Sequence, residues 1–224
     1  MIVPAMTAEE IRKEMLDDMR SVPSSKMDVF RKNFRSLVLR SSKFPINRSY
    51  EYRTDRKNLL TITLNAQKRG KHSDPNICVY CVYERREGKY AAVWSLSNRV
   101  TIFPPHFFDR YQERILKDDS LSRNEVIRRC ITNNGGHLSL EINDDVESVF
   151  KCFEGHYSNE VINIVSATLD GYCFGEIHGK TVIMKTIISE NMLSNRQKKL
   201  FPALQELFIQ ANKELHGASW AGTF

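Results

Sequence analysis

A histidine and two arginines recur at intervals of four residues near the middle of the chain. His106, Arg110 and Arg114 follow two prolines that end a strand-like run over residues 99–103. Residues four apart lie on one face of an α-helix and drift only slowly around it. The apolar residues among them predict the core-facing side of an amphipathic helix, namely Phe107, Phe108, Tyr111, Ile115 and Leu116.

These three side chains carry chemistry that suits a phosphodiester. Histidine exchanges a proton near neutral pH, because its free pKa lies there. A guanidinium holds two phosphate oxygens in its planar fork and stays charged. Cleavage of RNA without a metal ion needs both functions, since a base and an acid move protons while cations stabilise the phosphorane-like charge. The alternative is a capped helix with a solvated polar face, on which Glu113 pairs with Arg110 or Arg114.

The segments after this helix carry further motifs. Ser122-Arg123-Asn124-Glu125 is a capping box that starts another helix. Strands follow, and the last two form a hairpin around His178-Gly179-Lys180, with Lys185 and Thr186 late in its second strand. This order of motifs resembles the small fold shared by RelE-type toxins, tRNA-cleaving colicins and barnase-like ribonucleases. It is especially similar to uncharacterised members with an opening His-x3-Arg-x3-Arg helix.

The resemblance covers roughly residues 100–190 and leaves out the first hundred residues. It implies an endoribonuclease site in which the histidine and the two arginines occupy the helix positions. Lys185 and Thr186 then match the last-strand positions of the family. The long N-terminal extension and the insert over residues 137–160 depart from the family pattern. Such folds also include proteins that bind without cutting, and fold alone does not give function.

Three other histidines, His137, His156 and His178, each lie near glycine in a predicted loop or turn. His178 belongs to the Gly175–Gly179 hairpin and could reach the same sheet face as Lys185, where it would serve as a second acid or base. An exposed turn histidine is the alternative. The candidate catalytic residues are therefore His106, Arg110, Arg114, Lys185 and His178.

Positive charge is concentrated near the N-terminus. The whole chain has a formal net charge of +6. Residues 20–72 contain 14 Lys and Arg against 3 Asp and Glu, a net +11, while residues 73–224 contain 17 against 19, a net −2. Such a region attracts polyanions, nucleic acid first among them, through counterion release. A solvated helix face beside a charged edge strand would have the same composition.

Cations and aromatic side chains of this region are the candidate nucleic-acid-binding residues. Bases stacked on Tyr50, with phosphate contacts from neighbouring cations, would suit a single strand. Phe30 and Phe34 have the spacing of helix-core residues instead. The predicted contact residues are Arg31, Lys32, Arg35, Arg40, Tyr50 and Arg53.

The spacing of apolar residues predicts an α+β fold, a mostly antiparallel sheet with flanking helices and an N-terminal helical hairpin. A capping box at Thr7–Glu10 starts one helix, and Pro23-Ser24-Ser25 separates it from a second. Alternation with a period of two follows, and residues 77–96 are typical of a β-hairpin. We expect a basic helical hairpin over residues 1–46 and an α+β domain over residues 47–224, or one continuous domain.

No cofactor or metal site is predicted. Cys78-x2-Cys81 and Cys152-x3-His156 are isolated half-sites for zinc, and residues three apart in a strand face opposite ways. The five cysteines are odd in number and scattered, which fits a reducing compartment. Because no signal peptide or membrane-length apolar run is found, we expect a cytoplasmic protein without membrane contact.

Two functions of different classes fit these observations. The first is a metal-independent ribonuclease or RNA-binding protein that uses the His106 helix face, with the N-terminal basic region as an arm for RNA. The second is a non-catalytic accessory protein, of phage or mobile-element type, that binds a protein or nucleic acid. A protein partner or inhibitor and the oligomeric state are left open. Catalysis would require His106, Arg110 and Lys185 around one solvent-reachable surface.

Overall fold

The computed structural model describes residues 1–95, 98–134, 138–141, 161–195, 197–198, 201–202 and 204–209. The chain divides into two compact units, of which unit 1 contains Met1–Val100 and unit 2 contains Thr101–Glu214. The N-terminal helices therefore share a compact unit with the first strands. The boundary expected after residue 46 falls inside unit 1.

Unit 1 combines two helices with four strands. Its elements are α1 (Ala8–Ser21), α2 (Ser24–Arg40), β1 (Ile46–Arg53), β2 (Leu59–Ala66), a 3₁₀ turn (Arg69–His72), β3 (Asn76–Arg85) and β4 (Gly88–Ser95). The strands lie in the order β1-β2-β3-β4, and each pairs antiparallel with the next. The predicted hairpin over residues 77–96 is confirmed as β3 and β4, which turn at Gly88.

The α1 helix begins at the predicted capping box. The hydroxyl of Thr7 accepts a hydrogen bond from the backbone N–H of Glu10 at 3.3 Å, and the Glu10 carboxylate accepts one from the Thr7 N–H at 2.7 Å. These two bonds satisfy N–H groups that have no partner inside the helix. Near the end of α1, buried Asp18 accepts a hydrogen bond from the Asn58 amide, which joins the helix to the start of β2.

The α2 helix packs on the sheet through a narrow apolar stripe. Phe34 and Val38, one turn apart, are fully buried against Leu64 and Ala66 of β2. Its N-cap is Pro23, and no side chain caps the first turn. Because the buried stripe is narrow, most of the helix surface, with its cations, faces solvent.

The described part of unit 2 contains five strands, the helices α3 and α4, and further helical residues after the last strand. Its elements are β5 (Arg99–Phe103, entering from unit 1), α3 (Pro105–Tyr111), a π-helical turn (Gln112–Leu116), α4 (Arg123–Asn133), β6 (Leu138–Glu141), β7 (Ile162–Ala167), β8 (Tyr172–His178), β9 (Thr181–Ile188) and a 3₁₀ turn (Glu190–Met192). The strand order is β5-β9-β8-β7-β6. The pairs β6–β7, β7–β8 and β8–β9 are antiparallel, so the predicted last hairpin is confirmed.

One core of unit 2 lies on the face of the sheet that carries Tyr172, Phe174 and Ile188. Residues 197–198, 201–202 and 204–209 are helical, and Phe201, Leu204 and Phe208 pack on that face. The α+β class, the mostly antiparallel strands and the N-terminal pair of helices are thus confirmed. Within the described ranges, no helix combines the length and apolar character needed to cross a bilayer.

Candidate functional site

The α3 helix positions His106 and Arg110. Pro104 is its N-cap and Pro105 its first residue, a place where proline fits because the N–H there has no intrahelical partner. Phe107, Phe108 and Tyr111 are buried, as the amphipathic pattern predicts. With those rings turned inward, His106 and Arg110 are exposed to solvent.

Two polar contacts hold the end of α3 in place. The Tyr111 hydroxyl donates to Oδ2 of Asp170 at 2.6 Å, and the Asn134 amide donates to the same oxygen at 2.8 Å. Asp170 belongs to the turn between β7 and β8, so one carboxylate ties α3 and α4 to that turn. Burial, followed by this hydrogen bond, raises the pKa of Tyr111, which therefore remains a donor.

Arg114 reaches the last strand of unit 2. It lies in the π-helical turn, which ends with a hydrogen bond of 2.8 Å from the Lys117 N–H to the Gln112 carbonyl, five residues back. Its Nη1 donates to Oγ1 of Thr186 at 3.2 Å and to the carbonyl of Ile187 at 3.0 Å. The helix and last-strand positions implied by the resemblance therefore meet through Arg114 and Thr186.

The charges at this end of the helix do not balance. Arg110 Nη1 donates to Oε2 of Glu113 at 2.7 Å, the local pair that a solvated helix face would also form. Burial lowers the pKa of Arg114 below its ordinary value, repulsion from Arg110 lowers it further, and Glu113 acts in the opposite direction. Arg110 is thus paired with Glu113, whereas Arg114 makes no ion pair among the described residues.

His106 is the least constrained member of the predicted set. Its side chain is exposed, and within the described part of the chain its imidazole has no hydrogen-bond or ion-pair partner. An imidazole in that state can accept or donate a proton on the solvent side of α3. No hydrogen bond or ion pair between described residues joins His106 or Arg110 to Lys185.

Lys185 and His178 are both bound to Glu176 on the β8–β9 hairpin. The Lys185 ammonium pairs with Oε1 of Glu176, and His178 Nε2 lies 3.1 Å from Oε2. Burial raises the pKa of Glu176, but hydrogen bonds from Lys185 and His178 outweigh it, and the pKa lies below its ordinary value. His178 and Lys185 therefore belong to a three-residue cluster with a carboxylate at its centre.

A β-bulge explains how Lys185 reaches Glu176. Phe174 pairs with Thr186 while Gly175 pairs with Met184, so Lys185 is the extra residue of the bulge. Glycine is required opposite it, because a Cβ at position 175 would clash with the backbone carbonyl of Ile183. Sequence analysis did not identify Glu176, although its spacing of two from His178 on one strand places both on one face.

The predicted nucleic-acid-binding residues lie in unit 1. Four of these residues are cations of α2, namely Arg31, Lys32, Arg35 and Arg40. All four are exposed, and none makes an ion pair with another described residue. The Tyr50 ring stacks on Phe30, with centroids 4.5 Å apart, so one of its faces is covered. Arg53 is exposed, but it lies an odd number of residues from Tyr50 along β1 and points to the opposite side of the sheet.

The cysteine and histidine motifs do not assemble into a metal centre among the described residues. Burial raises the pKa of Cys78 and of Cys81 to about 12, as expected for thiols packed in a sheet. Cys130 and Cys173 are also buried free thiols. The predictions made for His137, Cys152 and His156 lie outside the described residues.

Neither a known family nor a known fold assigns a role to this arrangement. No family model, no curated protein and no solved structure matches the chain. A role can be inferred only from the geometry and charge of three side chains. They are the exposed His106, Arg110 with its partner Glu113, and Arg114, which is bonded to the last strand.

Proposed function

We propose that this protein binds RNA and holds a phosphodiester between Arg110 and Arg114. The main support is the charge around Arg114. Its guanidinium is partly buried and bonded to two neutral oxygens, those of Thr186 and Ile187, while Arg110 lies close enough to repel it. Placing like charges together costs free energy unless an anion joins them, and phosphate matches the guanidinium fork.

RNA is the phosphodiester proposed because of two sequence features. The motifs of residues 100–190 resemble those of RNA-cleaving proteins, and the cations of residues 20–72 favour a polyanion over a small phosphate ester. Glu113 accepts a hydrogen bond from Nη1 of Arg110. A bound phosphodiester would replace that carboxylate, so Glu113 competes with the ligand.

Binding to a fluorescently labelled single-stranded RNA tests this function. The wild type is compared with Arg114→Lys, which keeps the positive charge and loses the planar fork. We expect the Arg114→Lys variant to bind about tenfold more weakly, the loss of one charge-assisted hydrogen bond. The absence of RNA binding by the wild type at about 0.1 M salt, where the Debye length is about 10 Å, would refute the function. Equal RNA affinities of the wild type and Arg114→Lys would show that Arg114 does not contribute to binding.

Cleavage of the bound RNA is a second candidate function, favoured by the exposed His106, whose imidazole has no hydrogen-bond or ion-pair partner among the residues that the structure describes. A general base takes the proton of the 2′-hydroxyl, the 2′-oxygen attacks phosphorus, and the bond to the 5′-oxygen breaks as that oxygen is protonated. His106 would supply one of these two proton transfers, and the arginines would stabilise the charge on phosphorus. RNA turnover by the wild type, His106→Ala, Arg110→Ala and Arg114→Ala decides the matter. Equal turnover by all four excludes catalysis at this helix.

A non-catalytic accessory role remains the alternative from another class. Three of the five proposed catalytic side chains, Arg110, Lys185 and His178, contact carboxylates of Glu113 or Glu176. Such pairing is compatible with a surface that binds a protein rather than RNA. Wild-type protein that binds no RNA and turns none over would favour this role.

A further inference from the structure

Cations from two separate parts of the sequence meet at the C-terminal end of α2. Residues 29–50 contain six Lys and Arg and no Asp or Glu. The 3₁₀ turn Arg69–His72 packs against α2, and Arg69 Nη2 donates to the carbonyl of Ser41, the C-cap residue, at 2.9 Å. A second basic segment, which begins at Lys68, is thereby brought to the end of the helix.

We call this surface the α2-end cluster, and four side chains define it. They are Arg40, Lys43, Lys68 and Arg69. All four are exposed, and none makes an ion pair with another described residue. Cations are favourable beside the negative end of a helix dipole, but that effect is small and acts only within the last turn.

The neighbouring helix shows the usual state of surface cations in this unit. On α1, Arg12 pairs with Glu9 at 2.6 Å and Arg20 pairs with Asp17 at 3.5 Å. Acidic side chains therefore pair with the cations of α1, and Lys71 of the 3₁₀ turn pairs with Asp74 at 3.3 Å. The four cations of the α2-end cluster, in contrast, make no ion pair with a described residue. An uncompensated group of cations raises the local potential and concentrates anions there.

We propose that the α2-end cluster binds the phosphate backbone of RNA at a place separate from the Arg110–Arg114 pair. This proposal rests on the proposed function, which identifies the polyanion as RNA. It adds a second surface for contact with RNA, in unit 1. The cluster includes Lys43, Lys68 and Arg69, which the sequence did not single out. Arg53, on the other side of the sheet, is not part of it.

RNA fits this surface better than an anionic membrane does. An interfacial helix lays one apolar face in the bilayer and keeps its cations on the opposite face. The apolar face of α2, with Phe34 and Val38, is already buried on the sheet. Three apolar side chains of α2 are exposed, namely Val29, Leu37 and Leu39. They do not form such a face, because around the helix Arg40 lies between Val29 and Leu37, and Lys32 lies between Val29 and Leu39.

The test measures RNA affinity of the full chain as a function of salt. The variant Arg40→Gln/Lys68→Gln removes two charges of the cluster, and Lys13→Gln/Arg86→Gln removes two exposed charges elsewhere in unit 1. If both cluster cations contact phosphates, the slope of log K against log salt falls in magnitude by about 1.4, since each contact to a single strand contributes about 0.7. The control pair should leave the slope unchanged.

Vesicles containing phosphatidylserine provide the second arm of the experiment. Weakened RNA binding in the cluster variant, with a normal slope in the control and thermal unfolding like the wild type, supports the inference. An unchanged slope in the cluster variant overturns it while leaving RNA binding at Arg110 intact. Vesicle binding that depends on the cluster, with unchanged RNA binding, also overturns it. A wild type that binds no RNA refutes both this inference and the proposed function.

Discussion

Arg114 and Thr186 are separated by 72 positions in the sequence and joined by a hydrogen bond of 3.2 Å. The same guanidinium nitrogen donates to the carbonyl of Ile187 at 3.0 Å. These bonds fix the π-helical turn against β9 and hold the Arg114 charge beside Arg110. Arg114 therefore has a structural role and a proposed binding role. The first is measured as protein stability and the second as RNA affinity.

The structural role of Arg114 should be measurable as a contribution to the free energy of unfolding. Arg114→Ala removes two partly buried hydrogen bonds from a charged donor and should lower the free energy of unfolding by about 1.5–3 kcal/mol. Arg110→Ala removes an exposed ion pair and should change it by no more than about 1 kcal/mol. Urea unfolding of both variants checks this. Equal losses would show that the Arg114 contacts contribute nothing beyond a surface pair.

Glu113 should act as a competitor of the ligand. Glu113→Gln leaves the Arg110 fork without its carboxylate, and RNA affinity should rise roughly two- to fivefold, as the loss of a surface ion pair worth up to about 1 kcal/mol predicts. The matched control is Glu125→Gln, which removes a carboxylate paired with Arg128 in the same unit. An equal rise in both variants would mean that overall charge alone is responsible.

The Glu176 cluster predicts a pH dependence of stability. Its folded-state pKa is lower than in the unfolded chain, so the stabilisation is fully present above the unfolded pKa and is lost as pH falls through the folded one. Glu176→Gln should therefore be less stable than the wild type at pH 7, and the difference should shrink below about pH 4.3, the ordinary pKa of glutamate. Urea unfolding at pH 7 and at pH values below 4.3 measures it. A difference independent of pH would show that the Glu176 charge is not involved.

Tyr111 should stabilise the helix without taking part in binding. Tyr111→Phe removes the donor to Asp170 and leaves a partly buried carboxylate with one fewer partner. The free energy of unfolding should fall by about 1–3 kcal/mol. RNA affinity, measured well below the unfolding midpoint, should remain within twofold. A large loss of affinity in a folded Tyr111→Phe protein would place this network in the binding site.

Local patterns predicted the elements that carry the candidate site. The four-residue spacing placed His106 and Arg110 on the exposed side of a helix, because the rings between them had to be buried. It did not predict the π-helical turn at Gln112–Leu116, which needs contacts outside the helix. Nor could spacing show that Arg114 bonds to Thr186, since contacts between distant segments depend on how the strands pack.

Glu176 and the unit boundary were missed for similar reasons. A one-residue bulge at Lys185 determines which side chain contacts Glu176. Such a change of register hardly alters the alternation of apolar and polar residues along the strand, so it cannot be predicted from the sequence. The spacing of Phe34 and Val38 showed that α2 has a buried face but not that Leu64 and Ala66 cover it. Hence the spacing leaves open both a helical hairpin over residues 1–46 and one continuous domain.

The most direct test of the proposed site compares two half-exposed arginines that each pair with a glutamate three residues away, of which Glu125 also binds Arg129 at 3.0 Å. Arg110 pairs with Glu113 at 2.7 Å and is 49% exposed, and Arg128 pairs with Glu125 at 2.6 Å and is 51% exposed, both three residues apart in unit 2. The dissociation constant of labelled single-stranded RNA is measured for Arg110→Gln and Arg128→Gln at one salt concentration. A site at Arg110 and Arg114 predicts about tenfold weaker binding for Arg110→Gln, the loss of one charge-assisted hydrogen bond, with Arg128→Gln within twofold of the wild type. Equal effects of the two substitutions would contradict it.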